Sequence, residues 1–255
     1  MEANDFKIFN NSYDNFAKSY KDSAELPYRK SIEEYTIMKL CGDVKGLKVL
    51  DLACGAGPYS RKMKIKGASE VFGVDLSSEM IKLAEASENE IPLGCKYIVH
   101  DVLTLEKIGE YDLVLAIYQL NYAQTKEELF KFCDSAYKNL KKGGRFVGYN
   151  ANPFDLGGIS TELKKYGVIR QSKKEGRKEG DPIKITIYNK DESEFSFNNF
   201  WWSPETYEEA FKNAGFSSFS WEGPFLDNSL TSQQKTEYDV FMANPPNIGF
   251  SMTKV

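Results

Sequence analysis

The chain has 255 residues, enough for one well-filled α/β domain with an elaboration and short for two independent ones. Its 33 basic and 37 acidic side chains leave a formal charge of -4, which advertises neither a nucleic-acid nor an anionic-membrane partner. Four scattered cysteines (Cys41, Cys54, Cys95, Cys133) without a C-x-x-C pair and a lone histidine, His100, argue against a zinc site and against a disulfide framework, so no metal is expected.

The first residues, MEANDFKIFNNSYDNF, carry acids and amides where a signal peptide has a basic start and an apolar core. The longest apolar run, LVLAIY at 113–118, is far too short to span a bilayer. A cytoplasmic protein, monomer or homodimer, is the expectation. Tyr13, Phe16, Ala17 and Tyr20 follow helical spacing, and a second helix is predicted from about Tyr28 to Leu40, ending near Gly42. From 47 onward, short apolar runs alternate with amphipathic helices: KVLDLA, EVFGVDL, CKYIVHDV, YDLVLAIY and GRFVGYNA. Such runs suit a parallel sheet covered on both faces. Helix punctuation agrees: Pro58 opens one helix, Ser77 caps a second, and Thr125 with Glu128 forms a capping box for a third. In that third helix Leu129, Phe132, Cys133, Ala136 and Leu140 trace one stripe, with Gly143 and Gly144 as its stop.

Between Asn150 and Trp202 the pattern breaks into a basic stretch, then two alternating runs, IKITIYN and EFSFNNFWW, that read as an antiparallel hairpin. Lys and Arg interleaved with Glu and Gly at 164–179 read as a solvated loop. Ser203-Pro204 opens a helix with the stripe Tyr207, Ala210, Phe211 and Ala214, closed by Gly215, and the runs FSSFSWEG and YDVFMANP follow as strands. The predicted organisation is a helical lid over 1–46, a cofactor-binding core over 47–150, an inserted cap over 151–202, and a C-terminal part of the core over 203–255.

The turn after the first strand reads Gly55-Ala56-Gly57-Pro58-Tyr59-Ser60. A dinucleotide-binding turn carries a third glycine and lets backbone approach a pyrophosphate. Here the third glycine is missing, Pro58 and Tyr59 crowd the place, and Asp51, four residues before Gly55, would repel a diphosphate. Asp75, ending the second strand, can accept from both hydroxyls of a ribose, and Asp101, ending the third, can take an adenine amino group. Adenine, ribose and a cationic tail together describe S-adenosylmethionine.

The runs VLDLACGAG, VFGVDLS, HDV, YDLVLAIYQLNYA and LKKGGRF, in that order, resemble the class I S-adenosylmethionine-dependent methyltransferase superfamily over about Lys48 to Asn150. The resemblance implies an α/β, Rossmann-like, seven-stranded, mostly parallel sheet with a reversed last strand and helices on both faces. To these the chain would add its N-terminal helical segment and an inserted antiparallel β cap. The resemblance puts Ala53, Cys54 and Gly55 against the methionine part, Asp75 on the ribose, Leu76 and Met80 beside the adenine, and Asp101 with Val102 at the adenine edge. Ile117 and Tyr118 would face the sulfonium. The segment YDNFAKSYKDSAELPYRK is similar to that of small-molecule members, with Tyr20 closing over the cofactor and Arg29 meeting its carboxylate. The stretches QLNYA, WWSPETYEEAFKNAGF and FMANPPNIGF resemble the toxoflavin-synthase-like group, which methylates azapteridine nitrogens.

On this reading Tyr118 and Tyr122 form the catalytic wall, while Tyr13, Asn121, Phe154, Trp201 and Trp202 line the acceptor side together with Tyr118. Each has a plain alternative. Asp51 can simply cap the next helix, Asp101 can form a turn, and either tryptophan can be core. His100, on the wrong side of its strand, is not favoured as a base, and the Asn244-Pro245-Pro246 stretch reads as a strand terminator. Methyl transfer to a nitrogen of a planar heterocycle is the expected chemistry. Transfer to oxygen or carbon, a Rossmann oxidoreductase, and a catalytically silent cofactor-binding module are its competitors.

Overall fold

The computed structural model describes residues 23–255. The first predicted helix, with Tyr13 and Tyr20, lies outside the described residues. Five parallel strands follow from the five apolar runs: β1 (Lys48–Leu52), β2 (Glu70–Asp75), β3 (Cys95–Val99), β4 (Tyr111–Ile117) and β5 (Leu140–Ala151). Two more strands, β10 (Phe219–Glu222) and β11 (Asn247–Thr253), complete a sheet of order β10-β11-β5-β4-β1-β2-β3. In this sheet β11 runs antiparallel to both of its neighbours. The reversed last strand is therefore present. Four strands between β5 and β10, β6 (Gly158–Ile159), β7 (Val168–Ser172), β8 (Pro182–Tyr188) and β9 (Glu194–Phe200), form a separate antiparallel sheet in sequence order.

Helices cover both faces of the large sheet. On one face α1 (Tyr35–Cys41) and α2 (Pro58–Ile65) pack Ile37, Leu40 and Met63 against Val49, Leu113, Leu115 and Val147. On the other, α4 (Lys126–Asn139) and α5 (Pro204–Ala214) press their predicted stripes onto Leu50, Val114, Phe146 and Phe250; Leu140, expected at the end of the α4 stripe, instead opens β5, and Gly143 and Gly144 lie within that strand and do not stop the helix. Remaining helices are α3 (Ser78–Glu90), between β2 and β3, and two short ones, α6 (Ser232–Thr236) and α7 (Asp239–Ala243). The caps are as expected at Ser77 and Ser203, whose hydroxyls accept from Met80 N and Thr206 N. At α4, Thr125 accepts from Glu128 N, but the Glu128 carboxylate returns to Gln124 N at 2.7 Å, one residue earlier than a capping box requires.

Four readings need correction. YDVFMANP is the helix α7, because Tyr238 and Phe241, three apart, bury together against the antiparallel sheet. The Pro245-Pro246 pair therefore precedes the last strand and does not terminate it. The expected helix from Tyr28 is π-helical over Arg29–Glu34 and α-helical over Tyr35–Cys41, a widening that recurs at functional sites. The basic stretch is not wholly a solvated loop: it contains β7, and both Arg170 and Arg177 pair with a buried carboxylate, Asp155.

Leu26, Tyr28 and Ile32 pack on Val168, Ile183, Ile185, Ile187 and Phe241. The segment before β1 is thereby fastened to the antiparallel sheet, above the carboxyl ends of the parallel strands, where ligands bind in open α/β sheets.

Candidate active site

β1 ends in a turn whose backbone is left-handed at Ala53 (φ 55°), Gly55 (φ 55°) and Gly57 (φ 76°). A methyl group on Gly55 would meet nothing within 4 Å, whereas one on Gly57 would lie 2.5 Å from the Tyr97 hydroxyl oxygen. The two glycines thus serve different ends: Gly55 presents bare backbone to open space, and Gly57 makes room for Tyr97. Asp75 locks the turn, its Oδ2 accepting from Gly55 N at 2.7 Å and its Oδ1 from Ser77 N at 2.9 Å. Asp101 accepts from Leu103 N at 2.8 Å and so shapes the turn after β3.

Asp51, in β1, is 2 % exposed and accepts from Ser60 Oγ at 2.6 Å. Burial pushes its carboxyl up to about 7; the Ser60 hydrogen bond opposes the rise and the neighbouring Asp75 charge adds to it. A cation beside it would bring the ionised form back. Burial likewise pushes the Cys54 thiol well up, which removes it as a nucleophile at neutral pH.

The roof is held together by Glu33, a residue the sequence pattern did not single out. Glu33, 2 % exposed, accepts from Arg29 Nη1 at 3.1 and 3.2 Å, from the Tyr59 hydroxyl at 2.8 Å and from the Tyr118 hydroxyl at 2.5 Å. One carboxylate therefore ties the π-helical segment to α2 and to the end of β4. Four residues separate Arg29 from Glu33, the helical ion-pair spacing, and that was the one available signal. Tyr118 is held at φ 59°, a strained conformation for an aromatic residue, of the kind found at active sites. Burial, then the Glu33 charge, push its phenol well above the ordinary range. Burial alone pushes up that of Tyr122. Both stay protonated at neutral pH and neither is a base.

These groups enclose a cavity of about 430 Å3, within the range that accepts a small-molecule cofactor. Arg29, Asp51, Ala53, Cys54, Gly55, Asp75, Leu76, Met80, Asp101, Val102 and Ile117 all line it, as do Tyr118 and Tyr122. Glu33, Tyr59 and Gln119 line it as well. The Gln119 side chain is 2 % exposed, yet neither its oxygen nor its nitrogen has a hydrogen-bond partner. A buried amide costs free energy unless something completes it, so a ligand edge with one donor and one acceptor fits here.

Four predicted acceptor-side residues lie outside this cavity. Asn121 is fully buried and braces backbone, donating to Tyr118 O at 3.1 Å and accepting from Ala151 N. Trp202 is core, its indole N–H donating to Ala123 O at 2.9 Å. Trp201 donates to Pro153 O at 3.2 Å and carries the Arg177 guanidinium 5.1 Å from its ring. Phe154 is 53 % exposed and meets Trp221 edge to face. Large aromatics found a satisfied place in the packing of the second sheet and its neighbours. His100 points Nδ1 at Asp101 O, 2.9 Å away, and does not line the cavity. Among the described residues no cluster of His, Cys, Asp and Glu could hold a metal ion, and no helix is long and apolar enough to cross a membrane.

The sheet order, the glycine turn and three carboxylates at the ends of β1, β2 and β3 define a Rossmann-like fold of the methyltransferase type. Residues 49–144 match the family model described as "Methyltransferase domain", and the core has the fold of solved S-adenosylmethionine-dependent methyltransferases. The chain is 30 % identical over 122 residues to a ubiquinone biosynthesis O-methyltransferase of Bordetella parapertussis, covering 46 % of this chain and 48 % of that protein. It thus spans about half the length of such curated relatives. With a demethylmenaquinone methyltransferase of Lactococcus lactis it shares 26 % identity over 80 % of each chain. A solved S-adenosylmethionine-dependent methyltransferase from Mesorhizobium loti superposes with a TM-score of 0.63 at 18 % identity, covering 87 % of this chain and 97 % of that one. One from Clostridium acetobutylicum gives 0.61 at 18 % identity, covering 97 % and 98 %. At such identities the likeness is one of fold.

Proposed function

We propose that the chain is an S-adenosylmethionine-dependent methyltransferase acting on a nitrogen of a small planar heterocycle. The observation that carries the reading is the convergence of Asp51, Asp75 and Asp101, from three strand ends, on one cavity roofed by Arg29 and Tyr118. When bound, S-adenosylmethionine supplies an electrophilic methyl group on a sulfonium. Asp51 provides negative charge near its cationic end, and Arg29 a positive group for its carboxylate. Asp75 accepts from the ribose hydroxyls, and Asp101 with the Gln119 amide suits the adenine edge.

For the transfer itself the protein has to hold the nucleophile in line and exclude water. Tyr118 and Tyr122 are protonated aromatic walls whose faces favour a nearby cation. No histidine lines the cavity, and Glu33 is committed to Arg29, Tyr59 and Tyr118. An acceptor nitrogen that is already deprotonated at neutral pH needs no strong base there. The names of the quinone-pathway relatives favour a second reading, in which the acceptor is a hydroxyl or carbon of an aromatic ring.

The test is a panel of planar N-heterocycles, catechols and aliphatic amines incubated with S-adenosylmethionine and read by mass spectrometry. Methylated heterocycles support the first reading and methylated catechols the second. Turnover of aliphatic amines alone contradicts both.

A further inference from the structure

A second, small cavity of about 30 Å3 adjoins the first and shares Arg29, Tyr118 and Tyr122 with it. Its far wall is the inner face of the antiparallel sheet. On that face the register aligns Arg170 with Ile185 and Phe197 in one row, and Val168, Ile187 and Phe195 in the next. Two polar residues interrupt this apolar surface, Arg170 and Asn199, which are 5 % and 4 % exposed. Arg170 Nη1 is fully used, at 2.5 Å from Asp155 Oδ2 and donating to Pro246 O at 2.8 Å. Its Nε and Nη2, and Asn199 Oδ1, have no hydrogen-bond partner. Nε and Nη2 are the two prongs of one guanidinium edge, the fork that binds a planar pair of acceptors.

Charge points the same way. Asp155 is shared by Arg170 and Arg177, at 2.5 and 2.7 Å, so the trio, of which Arg170 is the buried member, carries one uncompensated positive charge. Leaving it unanswered is costly. The volume admits a functional group and not a ring, so the ring itself would stay against Tyr118 and Tyr122.

Resting on the methyltransferase reading above, we infer that Arg170 and Asn199 form the acceptor-recognition subsite. The Arg170 fork takes a planar, singly negative O–C–O or O–C–N edge of the acceptor, and Asn199 Oδ1 accepts from an adjacent N–H. The acceptor is thus an anionic heterocycle, either a ring carboxylate or a deprotonated lactam.

The experiment is calorimetric titration of protein saturated with S-adenosylhomocysteine. Probes are orotate, with a carboxylate beside a ring N–H, 2,4-dihydroxypteridine, with an ionisable lactam edge, and its neutral 1,3-dimethyl derivative. Arg170→Lys keeps the charge and removes the fork. Asn199→Leu removes the acceptor at similar volume and, by deleting an unpartnered buried atom, is expected to fold at least as well. One or both anions should bind the wild type, the neutral probe should not, and each variant should weaken binding roughly tenfold to a hundredfold. S-adenosylhomocysteine affinity should stay within about twofold in both variants, because neither residue lines the larger cavity. Heat from neither anion, or equal affinities in wild type and Asn199→Leu, would overturn the subsite and leave water as the partner of those atoms. Failure of the wild type to bind S-adenosylhomocysteine would instead overturn the proposed function, and this inference with it.

Discussion

Replacing Asp51 by Asn should make the protein more stable and bind its cofactor less well. Native Asp51 ionises only at about 7, against 3.8 for the unperturbed carboxyl. Between those values the folded chain holds a proton that the unfolded chain has lost, so stability falls as pH rises through that window and levels off above it. Asparagine mimics the protonated acid and keeps an oxygen for Ser60 Oγ. The variant should match wild type near pH 4, gain roughly 2 kcal/mol at pH 5 and gain roughly 4 kcal/mol at pH 8. Urea unfolding followed by tryptophan fluorescence at the three pH values measures this. Cofactor affinity should move the opposite way. In wild type it should rise with pH up to about neutrality, because a cation draws the proton off Asp51; in the variant it should be lower and flat. A variant no more stable than wild type at pH 8 would refute the reasoning about the buried acid.

Glu33→Gln strips the charge that meets Arg29, Tyr59 and Tyr118; breaking a buried pair on one side should cost roughly 3 kcal/mol in urea unfolding and lower cofactor affinity as well. Gly57→Ala places a methyl group 2.5 Å from the Tyr97 hydroxyl at a left-handed position, with an expected loss of roughly 2 kcal/mol or more; an unchanged unfolding midpoint would mean the turn relaxes freely. Trp202→Phe removes the bond to Ala123 O and should cost roughly 1–3 kcal/mol of stability. Its cofactor affinity by calorimetry should stay at the wild-type value, as Trp202 lies outside the cavity.

Local chemistry was the legible part. Asp51, Asp75 and Asp101 sit where strands end, and Gly55 follows directly, so their convergence follows from strand order alone. The helical stripes at Leu129–Ala136 and Tyr207–Ala214 were equally plain, because their period is that of the helix. Glu33, Gln119, Arg170 and Asn199 were not legible. Each acquires its meaning from a partner, or the lack of one, far away in sequence: Glu33 from Tyr118, 85 residues on, and Arg170 from Pro246, 76 residues on. The alternation of Phe195, Phe197 and Asn199 did hold a hint, a polar residue where the face is otherwise apolar. Phe154, Trp201 and Trp202 were expected beside the acceptor because the inserted segment is aromatic, but size and apolarity serve packing as readily as recognition. YDVFMANP illustrates the short apolar run whose period is too brief to separate helix from strand.

The most direct test of the account is calorimetric titration of the wild-type protein with S-adenosylmethionine, beside reduced nicotinamide cofactor as a control. The account predicts saturable binding of S-adenosylmethionine, weakened in Asp51→Asn, and no heat from the nicotinamide. Binding of the nicotinamide cofactor alone would contradict it, since the cavity would then hold a diphosphate among three carboxylates.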